Sequence, residues 1–162
     1  MKVDYISASE EAMSRIIEVL EHFPELDGRP IRFKHDPDLV PMGTYDPFTR
    51  MVIYREELPS YQTLGHEVMH AVQHLNHDLP ATDRATDLFT FARGEFFTDD
   101  PGSYLAIPGR GELADGDSSV FDRIRPHLHP LAVRALKERE NGNRRYLQWF
   151  EGELAKLNSP AP

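Results

Sequence analysis

Between Lys2 and Ile6 polar and apolar side chains alternate, the period of a short strand with one covered face. The period then lengthens. Ala12, Met13, Ile16, Ile17, Val19, Leu20 and Phe23 recur at helical spacing until Pro24, and Ser7 with Glu10 has the arrangement of a capping box. Ile31–His35 predicts a second strand, closed by Asp36-Pro37. Val40–Tyr45 predicts a third, in which Pro41 and Gly43 favour an edge position or a bulge. After the turn residues Asp46-Pro47-Phe48-Thr49 come the strong β formers Met51-Val52-Ile53-Tyr54, a fourth strand.

From Tyr61 to Asn76 the pattern is helical again, with Leu64, Val68, Ala71, Val72 and Leu75 on one face. Gly65, a poor helix residue, signals close approach by a neighbouring element. The segment Asn76–Pro80 breaks this helix, and Thr82 can cap the next, in which Ala85, Leu88, Phe89 and Ala92 recur up to Gly94. Asp99–Ser119, rich in Pro and Gly, reads as a long loop. Val120–Leu128 and Leu131–Glu140 read as two helices parted at Pro130, the second stopped by Asn141-Gly142. A last helix, Asn143–Leu157, aligns Leu147, Phe150, Leu154 and Leu157 with Trp149 beside them, a pattern suited to core packing.

Composition narrows this picture. The 162 residues, 40% hydrophobic, suffice for one domain with a real core. We divide it into a core over 1–94, a loop over 95–119 and a helical C-terminal part over 120–158. A net charge of -9 disfavours nucleic acid and anionic membranes as partners and accommodates a peptide or protein substrate. The absence of cysteine removes disulfides and thiolate zinc sites, leaving His, Asp and Glu as metal donors. The N-terminus lacks the apolar run of a signal peptide, and no stretch approaches the ~20 apolar residues of a membrane span, so a soluble, cytoplasmic protein is expected.

The candidate chemistry lies on the polar face of the Tyr61–Asn76 helix. His66 and His70, four residues apart, fall one above the other, where two imidazoles can share a metal ion. Glu67, beside the first, can hold a metal-activated water without being a ligand. A catalytic zinc has three protein ligands and an open position. Asp83 is the expected third ligand, because a helical hairpin returns the start of the second helix towards the first. Asp87, one turn on, can then accept the free N–H of His66 or His70 and fix its tautomer. His74 and His77 offer a histidine-only alternative, with His77 the stronger, although a straight helix carries both away along its axis.

The pentapeptide His66-Glu67-Val68-Met69-His70, followed by Asp83-Arg84-Ala85-Thr86-Asp87, resembles the zincin metallopeptidases and within them the gluzincin branch. Those proteins combine H-E-x-x-H with E-x-x-x-D on a second helix. Here Asp stands in the first position of that second motif, one methylene shorter. The resemblance covers Met1 to Gly94. It implies an α+β fold in which a backing helix and a small mixed sheet of three to four strands pack on the metal-binding helix. It further implies a Zn2+ ion on His66, His70 and Asp83, with Asp87 behind them, and peptide-bond hydrolysis with Glu67 as general base. Tyr104, His127 and His129 are candidate donors to a developing oxyanion, although a loop Tyr or a His beside Pro130 is more often structural, and the strand around Gly43 to Tyr45 can pair with an extended substrate. The competing reading is a regulatory or partner-binding module whose metal is structural or vestigial, against which Glu67 argues, since a structural site has no need of a carboxylate beside its ligand.

Overall fold

The computed structural model describes residues 3–107, 111–112 and 118–158. Their contacts divide the chain into two compact units, Met1–Ala81 and Thr82–Pro162. The two helices that carry the candidate ligands, grouped in one core by the sequence, fall on either side of that boundary.

In the first unit the strands are β1 (Val3–Ile6), β2 (Ile31–His35), β3 (Gly43–Asp46) and β4 (Met51–Tyr54). They form one mixed sheet of order β1-β2-β4-β3, in which β1, β2 and β4 run parallel and β3 returns antiparallel to β4. Alternation along the strands decides which face is covered. Register puts Tyr5 beside Phe33, Phe33 beside Val52, and Val52 beside Tyr45, one row across the sheet. His35, Tyr54 and Gly43 make the next row on the same face. Phe33, Val52 and Tyr54 are wholly buried. The expected edge position of the third strand is observed, though the strand begins at Gly43, after Pro41.

Among the described residues this unit has two α-helices, α1 (Glu10–Glu21) and α2 (Tyr61–Leu75). The α1 face Ala12, Ile16, Val19 and Leu20 is buried as its spacing predicts. Its cap differs from the expected one. Ser9, in extended conformation, accepts from Ala12 N at 3.1 Å, whereas Ser7 has φ 58°, outside the extended region a capping residue needs. The helices are tied by Arg15 Nη1, which donates to Pro59 O at 2.7 Å, and by Tyr61 Oη donating to Glu18. In α2, Ser60 caps Thr63 N and Asn76 ends the helix. Burial runs wider than the apolar stripe and takes in Gln62, Thr63, His66, Glu67 and Gln73.

The second unit contains α3 (Asp83–Phe91), a two-stranded ribbon of β5 (Ala106–Ile107) and β6 (Gly111–Glu112), α4 (Ser118–Glu140) and α5 (Tyr146–Asn158). Thr82 caps α3 as its position predicts. The stretch read as one long loop thus holds a short antiparallel pair, and parts of it lie outside the described residues. The larger correction is α4, a single helix of 23 residues with Pro126 and Pro130 inside it. Phe121, Ile124, Leu128, Leu131, Ala132 and Ala135 keep one continuous buried face, while both prolines lie on the exposed side. There water can take the carbonyls that lose their intrahelical donors. In α5 the buried residues are Tyr146, Phe150, Glu151 and Leu154, with Leu147 and Trp149 half-buried. Glu151 is 5% exposed and accepts from Arg84 Nε at 3.0 Å, with a second bond from Nη2, a bidentate pair that offsets the cost of burying a carboxylate. No helix among the described residues is long and apolar enough to cross a membrane.

Candidate metal centre

The first unit builds its part of the centre on α2. One helical turn separates His66 from His70, and their rings meet edge to face with centroids 4.8 Å apart. The two Nε2 atoms lie 3.1 Å from each other. Imidazole nitrogens bound at about 2.0–2.1 Å to one tetrahedral zinc stand about 3.3 Å apart, so this pair fits an ion after opening by roughly two tenths of an ångström. His66 is 5% exposed and His70 is half-buried, so the pair spans from the interior to the surface.

Glu67 is 7% exposed and lies against the edge strand. The backbone of β3 approaches so closely that a Cβ at Gly43 would stand 2.8 Å from Glu67 Cγ. Two residues further along that face, Tyr45 packs against His74 with centroids 6.3 Å apart, and burial raises its phenol above the ordinary value. β3 therefore runs along α2 from the level of Thr63 and Glu67 to that of His74. His74 and His77 are exposed and their rings meet edge to face at 6.5 Å. His77 lies beyond the end of α2, in a link that folds back on the helix. Gln73 Nε2 donates to Pro80 O at 2.8 Å, holding the chain beside the last turn of α2.

In the second unit Asp83 is the exposed first residue of α3. Asp87, one turn on, is fully buried and its Oδ2 accepts from Ser103 Oγ at 2.9 Å and Tyr104 N at 2.6 Å. Ser103 lies in a loop without periodicity, and nothing in its sequence context announces this partnership. Of the candidate oxyanion donors, Tyr104 touches Asp87 through its backbone and is 46% exposed. His129 donates from Nδ1 to Phe91 O at 2.7 Å, which commits that nitrogen to holding α4 on α3. His127 is exposed on α4. The sequence marks Gly43 as an edge or bulge residue in a strand able to pair with a substrate, and gives no sign of its contact with Glu67. Its role at Glu67 leaves no periodic signal.

Comparison with protein-family models, with curated proteins and with solved structures finds no match to this chain.

Proposed function

We propose that this protein is a zinc-dependent metallopeptidase of the zincin type, with His66, His70 and Asp83 as ligands and Glu67 as general base. The observation that carries the reading is the convergence of His66 and His70 Nε2 within 3.1 Å, with the buried carboxylate of Glu67 on the intervening turn. Bound zinc supplies Lewis acidity that lowers the pKa of water to about 7. The chain's own residues do the rest. As neutral ligands through Nε2, both histidines carry their proton on Nδ1. Glu67 takes the proton of the attacking water on its carboxylate and returns it to the leaving amine, so that no covalent intermediate with the protein forms. The outer edge of β3, unpaired among the described strands, offers backbone donors and acceptors to an extended substrate.

Asp83 is proposed from the order of the motifs. Three residues past Pro80, which Gln73 holds, it opens the second motif, Asp83-Arg84-Ala85-Thr86-Asp87, at the place where the resembled branch has its acidic ligand. The 3.1 Å contact also fits a direct hydrogen bond between the imidazoles, which is the observation favouring the second reading, a partner-binding module without a working metal. The two are separated by Glu67→Gln. The variant is expected to retain zinc at wild-type stoichiometry while losing all hydrolysis of a denatured protein substrate that the wild type cleaves. Equal turnover by both zinc-loaded proteins removes the general-base role, and a wild type that takes up no zinc removes the metal centre.

A further inference from the structure

Gly43 has an ordinary φ, so no left-handed turn demands a glycine there; what demands it is space. A Cβ at this position would meet Glu67 Cγ at 2.8 Å, Thr63 Cγ2 at 3.0 Å and Glu67 Oε1 at 3.1 Å. Resting on the metallopeptidase reading, we propose that Gly43 is a positioning residue for that reaction: its bare backbone on the edge strand is the wall against which the Glu67 carboxylate is set.

The neighbours decide which group would yield to a methyl. The strand is held on its far side, because Gly43 pairs with Tyr54 of β4 and Arg55 N donates to Met42 O at 3.0 Å. Arg55 Nη1 also holds Val40 O at 3.0 Å. Thr63 is held as well. Its N donates to Ser60 Oγ at 3.0 Å and its Oγ1 accepts from the same hydroxyl at 2.9 Å, so χ1 cannot turn Cγ2 away without losing the bond between the two hydroxyls. Glu67 Cγ is the closest atom, the stem of a buried side chain rather than a loose tip, so a methyl at position 43 that displaces it displaces the carboxylate with it. A displacement of about 1 Å in a catalytic group costs on the order of 100-fold in rate.

The test is Gly43→Ala in the full chain, with zinc loaded and a peptide substrate. Expected are a fall in kcat of roughly 100-fold, a KM within about threefold of wild type, and an unchanged zinc affinity by competition with a chromophoric chelator. Thr63→Ser keeps the hydroxyl and its Ser60 bonds but removes Cγ2. Gly43→Ala/Thr63→Ser is therefore expected to recover part of the lost kcat, which a general loosening of the strand would not. An active wild type with an equally active Gly43→Ala overturns the assignment and leaves the metallopeptidase reading intact. Loss of zinc together with activity, or failure of both the single and the double variant to fold, also overturns it, since the glycine would then serve the fold. A zinc-loaded wild type without hydrolysis overturns both.

Discussion

Single residues in this protein are decided by what surrounds them rather than by their type. Tyr54 shows this away from the centre. Its hydroxyl is buried without a hydrogen-bond partner among the described residues, and burial raises its pKa, while its ring stacks on His35 at 5.6 Å between centroids. The ring is what the core uses, and the hydroxyl is an uncompensated polar group. Tyr54→Phe is accordingly expected to leave stability unchanged or to raise it by about 1 kcal/mol, read from the midpoint of urea unfolding at unchanged slope. A loss of that size would show that the hydroxyl has a partner that matters. The two aspartates four residues apart differ by the same logic. Asp83 is exposed at the start of α3, whereas Asp87 is fully buried and bound by Ser103 and Tyr104 N.

At the scale of elements, most of what the periodicity predicts is present: four strands, the α2 helix from Tyr61, and a third helix capped by Thr82. Two boundaries moved for physical reasons. Ser9 rather than Ser7 caps α1, because only Ser9 is extended enough to turn its hydroxyl onto Ala12 N. α4 runs through Pro126 and Pro130 because its buried face is continuous across both. Packing there overrides a local rule worth about 3 kcal/mol per interior proline. That override predicts its own measurement. Pro126→Ala and Pro130→Ala are each expected to stabilise the protein by about 1–3 kcal/mol, less whatever the proline contributed by stiffening the unfolded chain. Destabilisation by either variant in thermal unfolding would mean that the helix is kinked to a purpose at that residue.

For the whole molecule the metal is the test that reaches furthest. Ile16, Phe23, Phe33, Val52, Leu64 and Met69 of the first unit are completely buried, an apolar core expected to hold without an ion. On the proposed centre, zinc stabilises the folded state by selective binding, about 2.7 kcal/mol at one hundred times its dissociation constant. Wild-type protein is expected to melt several degrees higher with zinc and to remain folded at room temperature in chelator, followed by circular dichroism. Asp83→Ala should abolish most of that zinc-dependent increment, and His77→Ala should preserve it. Complete unfolding in chelator would identify the ion as structural and weaken the hydrolytic reading.

The sequence by itself determined most of the elements and the grouping of chemistry on one of them. Periods of 2 and 3.6 are local properties, and two histidines four residues apart share a helix face whatever the rest of the chain does. It also narrowed the third strand to an edge position or a bulge, through Pro41 and Gly43, and removed thiolate chemistry. Only the tertiary structure decided that Glu67 rests against Gly43, that Asp87 is satisfied by Ser103, that His129 is committed to Phe91 O, and that α4 is one helix. Each of these joins residues distant in the chain or sets a long buried face against a local penalty. Such outcomes follow from volume filled and polar groups paired after folding, quantities that no window of neighbouring residues contains.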